Sequence, residues 1–495
     1  MRILCWAVAV QLGGGPAAAA DFNIDQIGQS DPHPGSPFYA DVWAEGDYAY
    51  VGSDRTGKGV SVFDISVSTN PQFIRNPANL SGPITLTTYA GSEMEDVEVH
   101  NGIGYFGSDV NNSTPATGTG VDIVDLADPA NPVFLSRIDA TIGGHYKVHT
   151  LSVSDGFLYT ADNITDTIRI SDVTNPLAPE FLWNVNLDAP TSVASHEVVV
   201  RNNRMFVASK RNDTTGLSCC GWTHIYDVSN VDTTEPELIA AFPTGARAHT
   251  SMPNEDGTLL VVTEERPDGG VLIYDISNID QANFPDEPEP ISTLTRSSVG
   301  IDAHSPHHPH MHGDMLFVTW YEAGLQAFNI ADPENPIRVG SFDTYDGTVN
   351  NFNGSWGVFL GFGMDKVLLS DRQKGLIIVD ATEAAPTGDF NLDDVVDGAD
   401  FLAWQRGLGA SSGATRAQGD GNRDRTVNGL DLDVWQAQFG GDGSHPAVGA
   451  VPECSTIWMV ITCALALRGF RSRREGLIVT RQEVAGGESS RRVRP

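Results

Sequence analysis

The sequence predicts a mainly-β protein, a seven-bladed β-propeller followed by a small α-helical unit. Three observations carry that expectation. A strand phrase ending in a polar turn residue recurs seven times between residues 22 and 383. A hairpin of alternating apolar residues stands ahead of most copies. A twelve-residue loop rich in oxygen-bearing side chains occurs twice between residues 388 and 440, each time leading into an apolar helical pattern.

The recurring phrase reads apolar, any, apolar, any, Asp, then turn. It ends on Asp64 in VSVFDIS, Asp125 in VDIVDLA, Asp172 in IRISDVT and Asp227 in HIYDVS. It returns at Asp275 in VLIYDIS, Asn329 in LQAFNIA and Asp380 in LIIVDAT. Alternation turns one face of a strand to the core, and the Asp or Asn side chain can accept from the backbone of the turn that follows. Several copies run through Asn-Pro into a further strand, as in DPANPVFLSRI and DPENPIRVGSF. Proline there fits the start of an outer edge strand, where a missing N–H is tolerated.

The hairpins read DVWAEGDYAYVGSD, DVEVHNGIGYFGSD, TLSVSDGFLYTAD, EVVVRNNRMFVASK and HPHMHGDMLFVTW, each turning on Gly, Asn or Asp. Two hairpin strands, the phrase strand and the strand after Asn-Pro make a four-stranded blade. Units of roughly 45–50 residues then make a seven-bladed ring. A stacked solenoid is the competing repeat fold, and four short strands per unit argue against it. The seventh unit runs out near Glu383, so Phe22–Gly28 (FNIDQIG) is expected to supply its outer strand and lock the chain ends together. The phrase and its Asn-Pro continuation resemble the LVIVD-repeat β-propellers of secreted bacterial proteins. HSPHHPHMHGDMLFVTWYEAGLQAFNIADPENP and WGVFLGFGMDKVLLSDRQKGLIIVD carry the likeness most strongly. It implies the fold for most of residues 22–383 and little about function, since propellers host unrelated activities.

Charge narrows the partners. The 495 residues carry a formal net charge of −34. Residues 451–495 hold eight Arg and four acids, and residues 1–20 hold only Arg2, leaving 21 basic and 60 acidic side chains in residues 21–450, a net of −39. Such a surface repels phosphate backbones and anionic lipid and attracts multivalent cations, so nucleic acid is excluded as a partner. Residues 1–20 read as a signal peptide: Arg2, the apolar run Ile3–Val10, and a small-residue cleavage site at Ala18-Ala19-Ala20. Cleavage would leave four cysteines, too few for a disulfide framework. The adjacent pair Cys219-Cys220 admits a vicinal disulfide, free thiols or an intermolecular bridge.

Aligning the blades on their hairpins compares the residue just before each innermost strand. It is Ala40, Glu95, His149, His196, His249, His307 and Trp356. Innermost strands line a propeller's channel, so these side chains should gather at one channel mouth. Asp41, Asp96 and Glu197 follow immediately, and His145, His304, His308, His310 and His312 lie nearby. Converging imidazoles and carboxylates suit zinc, copper or iron. They equally suit blade-to-blade hydrogen bonding, because neutral imidazole has one donor and one acceptor. Direct binding of a polar ligand is a third use. No HExxH, GxSxG or P-loop motif is present, and the carboxylates are too many to nominate an acid–base pair.

The most specific signal lies in the expected unit 386–443. GDFNLDDVVDGADFLAWQRGLG is followed 31 residues later by GDGNRDRTVNGLDLDVWQAQFG. Calcium takes six or more hard oxygens, which a twelve-residue loop presents from positions 1, 3, 5, 7, 9 and 12. The first loop offers Asp389, Asn391, Asp393, the Val395 carbonyl, Asp397 by way of a water, and Asp400. The second offers Asp420, Asn422, Asp424, the Thr426 carbonyl, Asn428 and Asp431. Two calcium ions are therefore expected, with Trp404 and Leu408 packing against Trp435 and Phe439. A segment this short has little core of its own, so calcium should drive its folding.

Each loop enters one helix with none before it, position 6 is Asp394 or Arg425, and position 12 is Asp. The segment thereby resembles a type I dockerin over its whole length. That resemblance implies cohesin binding. The family's hydroxyl contacts at loop positions 10 and 11 are here Gly398, Ala399, Gly429 and Leu430, so a cohesin-like partner does not carry over with the calcium sites. An intramolecular spacer or another partner fits equally.

After a linker at 444–450, the stretch VPECST, the uncharged run Ile457–Leu467 and RGFRSRR resemble a PEP-CTERM sorting signal across 451–474. Cys454 stands where that motif has its second proline, and a basic tail follows over 475–495. Eleven apolar residues are short for a stable span. The resemblance implies contact with sorting machinery or membrane, with the tail either cleaved or kept as a weak anchor. The sequence thus points to a secreted, non-catalytic propeller at a Gram-negative-type cell surface, binding a protein or glycan ligand. A metalloenzyme using the histidine cluster and a purely structural envelope protein are the alternatives.

Overall fold

A computed structural model describes residues 21–440 apart from 35–38, 55–58, 75–92, 110–118, 146, 188–192, 212–220, 348–351, 394 and 412. The expected signal peptide, Cys219, Cys220, Asp394 and the sorting tail lie outside the described residues. The described strands form seven four-stranded antiparallel sheets, six of them built in chain order from the inside outward. Blade one runs Tyr39–Glu45, Tyr48–Ser53, Ser61–Asp64 and Gln72–Phe73. The next six open on Val97–His100, Thr150–Ser154, Val193–Arg201, Ala248–Pro253, Pro309–His312 and Ser355–Phe359.

The recurring polar residue does one job in every blade. Asp64, Asp125, Asp172, Asp227, Asp275, Asn329 and Asp380 each accept from the backbone N–H two residues on, at 2.8–3.0 Å. That bond satisfies a donor which the turn would otherwise leave bare. The apolar faces of the strands pack between neighbouring blades. One cluster joins the ends of the ring, setting Tyr39, Val42 and Phe63 of blade one against Leu368, Leu376 and Ile378 of blade seven.

The chain termini close the ring as expected, with a shift in register. Asp25–Ser30 pairs antiparallel with Gly375–Asp380 as the outer strand of blade seven. Phe22 lies outside that strand and bridges Ser341 of blade six. Asn23 makes the break. Its φ of 56° turns the chain between the two pairings, and its side-chain amide donates to the Val339 carbonyl at 2.8 Å. The N-terminal segment therefore ties down two blades.

Behind the ring stand the helices Gly398–Gly407 and Gly429–Gln438. Their core is Phe390, Trp404, Ala414 and Val427, flanked by Phe401, Leu432 and Trp435. Leu408, expected in that core, is 53 % exposed, because the helix ends there and its backbone turns extended. Phe439 is 40 % exposed and only covers Trp435, 4.8 Å away. The tryptophans cross instead. Trp404 Nε1 donates to the Asn428 carbonyl at 2.7 Å, and Trp435 Nε1 donates to the Asp397 carbonyl at 2.9 Å. The unit meets the propeller where the ring closes: Arg416 and Arg423 both pair with Glu383, and Arg425 covers Phe22. No described helix is long and apolar enough to cross a membrane.

Candidate functional site at the channel mouth

All seven blades reach one small cavity. It measures about 20 Å³, and its walls include Asp41, Glu95, His149, His196, His249, His307 and Trp356. The alignment of blades by their hairpins thus brings together the residues it selected, Ala40 excepted, where Asp41 lines the space. Imidazoles follow one another around the mouth, His149 meeting His196 edge to face with ring centres 4.7 Å apart. The spacing is 4.2 Å from His196 to His249 and from His249 to His307. A space of this size holds a single water-sized guest, not an organic substrate.

The two nitrogens of each ring have different work. His196 Nδ1 donates to the His249 carbonyl at 3.1 Å, and His307 Nδ1 donates to the Trp356 carbonyl at 2.9 Å. His249 Nδ1 lies 2.9 Å from Thr250 Oγ1, whose hydroxyl donates to Glu197 Oε2 at 2.6 Å. The first two bonds pin their rings to the next blade, the third holds His249 within its own strand, and all three leave Nε2 with the lone pair. His307 Nε2 is buried without a hydrogen-bond partner, and the nearest carboxylate oxygen, Glu265 Oε1, is 4.0 Å away.

The ends of the row are charged. His149 Nδ1 sits 2.7 Å from Glu95 Oε2 and 2.8 Å from Asp109 Oδ2, and its Nε2 is 3.2 Å from His196 Nε2. His196 already carries its proton on Nδ1, so His149 donates here from both nitrogens as an imidazolium. Burial pulls its pKa down, but Glu95 and Asp109 together outweigh that and hold it well above the ordinary value. His308, stacked on His307 at 4.2 Å, lies 3.4 Å from Asp41 Oδ1 and 3.5 Å from Glu197 Oε2. Those carboxylates likewise overcome burial and keep it charged. In between, burial holds His196, His249 and His307 far below the usual range.

A glycine makes room for this layer. Blade seven carries Gly357, where a Cβ would come within 2.6 Å of Asp41 Oδ1. The layer adjoins a cavity of about 260 Å³ that shares Asp41, Asp96, Thr150 and His308 and adds Glu98, His100, Glu197 and Arg201.

The repeat in blade one has a known counterpart. Residues 39–77 match the LVIVD repeat family. No curated protein matches this sequence. The chain is similar in structure to a computationally designed protein, at 10 % identity and a TM-score of 0.44, covering 72 % of this chain and 99 % of that one. It is similar to a Lactobacillus plantarum protein at 12 % identity and a TM-score of 0.49, covering 68 % and 89 %. A putative 6-phosphogluconolactonase from Bacteroides fragilis stands at 12 % and 0.47, covering 71 % and 91 %.

Blade register did not select the outer partners of the ring. Asp109 holds His149 and Lys147 together. Tyr321 donates to Glu265 at 2.8 Å, and its ring lies 4.8 Å from His307. A signal for them exists: these residues sit at or just past the end of the second strand of their blades, where VGSD, FGSD, TAD and TEE recur.

The paired loops behind the propeller are organised by their position-12 carboxylates. Asp400 Oδ1 accepts from the Phe390 and Asn391 amides, and its Oδ2 accepts from the Asp397 amide. Asp431 does the same for Gly421, Asn422 and Asn428. Asp397 and Asn428, at position 9, cap the two helices. In the second loop the carboxylates of Asp420, Asp424 and Asp431 come within 4.8 Å of one another, and Asp420 Oδ1 is buried without a partner. Asn422 and Thr426 complete its turn through bonds to Asp424. The first loop differs, since Arg416 Nη2 lies 2.9 Å from Asp389 Oδ2. Asn391 there donates to Asp393, which accepts in turn from the Val395 amide.

Proposed function

We propose that this is a secreted, non-catalytic binding protein of the bacterial cell surface. Its propeller presents a channel face to a protein or glycan ligand. The dockerin-like unit at 388–440 folds around two calcium ions and attaches or spaces the propeller, and the C-terminal segment acts as the sorting signal. The observation that carries the calcium reading is the convergence of Asp420, Asp424 and Asp431 around a buried, unpartnered Asp420 oxygen. Burial lifts the Asp420 pKa to about 6, the mark of a carboxylate whose charge lacks its counter-ion. With Gly398, Ala399, Gly429 and Leu430 at the family's hydroxyl positions, a partner other than a cohesin is favoured.

Calcium titration by calorimetry, followed by chelation, tests the reading. Two ions per chain and a lower melting temperature after chelation are expected. Asp420→Asn should remove the second-loop ion. No calcium uptake and an unchanged melt would sink the proposal. The metalloenzyme alternative draws its support from the cavity of about 260 Å³ adjoining the histidines.

A further inference from the structure

We propose that the channel mouth binds one divalent transition-metal ion through Nε2 of His196, His249 and His307, with the Glu197 carboxylate beside them. Two overlapping triads define the seat, one of His196, Glu197 and His249 and the other of His249, His307 and His308. Within each triad the ligand atoms lie within 4.8 Å of one another. His249 belongs to both. Tetrahedral ligands of a zinc at about 2.0–2.1 Å stand about 3.4 Å apart, so side-chain shifts of about an ångström close each triad around an ion.

Three features separate this cluster from histidines that only pack. First, the packing role is taken by Nδ1: carbonyls of the next blade hold His196 and His307, and Thr250 holds His249. That arrangement fixes the tautomer and ring angle a metal ligand needs and leaves Nε2 of His249 and His307 spare, while Nε2 of His196 would exchange its bond from His149 for the ion. Second, His307 Nε2 is buried with no hydrogen-bond partner, a cost that structural packing alone leaves standing. Third, the space of about 20 Å³ fits an ion. Asp41, Glu95 and Asp96 add carboxylates around the same space. Imidazole nitrogens with one carboxylate select zinc, copper or iron over calcium, whose ligands are oxygens. His149, protonated and held by Glu95 and Asp109, is not a ligand.

The test uses the full chain saturated with calcium, its cysteines alkylated to remove thiolate ligands, and cobalt(II) as the probe. One cobalt per chain with visible d–d absorption is expected, displaced stoichiometrically by zinc(II). His249→Gln should abolish the absorption and the uptake, while His312→Gln, at an exposed histidine outside the cluster, leaves both intact. Folded wild-type protein with no stoichiometric cobalt overturns the proposal without recourse to any variant. Unchanged cobalt binding in folded His249→Gln overturns it as well.

Discussion

The guanidinium of Arg425 lies 4.7 Å from the centre of the Phe22 ring, and Arg338 lies 5.2 Å from the same ring. Arg425 belongs to the second oxygen-rich loop, Phe22 to the N-terminal clasp and Arg338 to blade six. One aromatic ring thus links three parts of the chain, at residues 22, 338 and 425.

Phe22→Ala should remove both cation–π contacts and cost about 1–2 kcal/mol. A fall of a few degrees in the melting temperature, followed by circular dichroism, is the expected reading. Deleting residues 21–30 should lower it much further, since Gly375–Asp380 then becomes an unpaired edge. A deletion variant that melts with wild-type protein would refute closure by the N-terminal strand.

Trp404→Phe keeps an aromatic ring in the helical core and loses only the bond to the Asn428 carbonyl. Asn428 holds position 9 of the second loop. Losing about 1 kcal/mol of support there should weaken calcium binding at that loop about fivefold. Calorimetry resolves the two sites, and the first-loop affinity is expected to stay constant.

Arg416 occupies the carboxylate that opens the first loop, and it also pairs with Glu383 of the propeller. Arg416→Gln should free Asp389 and tighten first-loop calcium binding about tenfold, the worth of one charge-assisted hydrogen bond. The same variant should weaken the junction between unit and propeller, giving a lower melting temperature in the absence of calcium. Equal or weaker first-loop affinity would argue against competition between Arg416 and the ion.

His145 gives the fold a pH limit of its own. It is fully buried, with Nδ1 3.1 Å from Thr160 Oγ1 and Nε2 3.4 Å from Ser171 Oγ. Burial, aided by Arg169 and opposed by Asp139, drives its pKa down to about 3. The folded state therefore takes up the proton less readily than the unfolded chain, whose histidine titrates near 6.5. The stabilisation is complete above about pH 6.5 and is lost as pH falls toward 3. Between pH 6.5 and 5 wild-type protein should lose about 2 kcal/mol relative to His145→Gln, measured by denaturant unfolding at each pH.

Much of the fold was legible because its signals are local. Asp64 and its six counterparts each bond an amide two residues away, so the phrase carries its own turn wherever it occurs. The hairpins register the blades, and that register alone selected Glu95, His149, His196, His249 and His307 as neighbours. The core of the helical unit was less legible. Leu408 has the right spacing for burial, but the helix ends beneath it, while Phe390 and Val427 enter the core from loop positions that no helical period marks.

What the sequence by itself determined is the repeat, the blade count, the row of histidines and the paired oxygen-rich loops, each encoded within about fifty residues of chain. The tertiary structure alone decided how those pieces are used. It chose Nδ1 of His196 and His307 for the neighbouring blade, gave Nε2 of His196 to His149 and left Nε2 of His307 without a partner. It set Asp109 against His149 and Arg416 against Asp389, 40 and 27 residues apart in sequence. A ring's orientation and a carboxylate's partner depend on which backbone lies across the gap, and only closure of the propeller brings that backbone there.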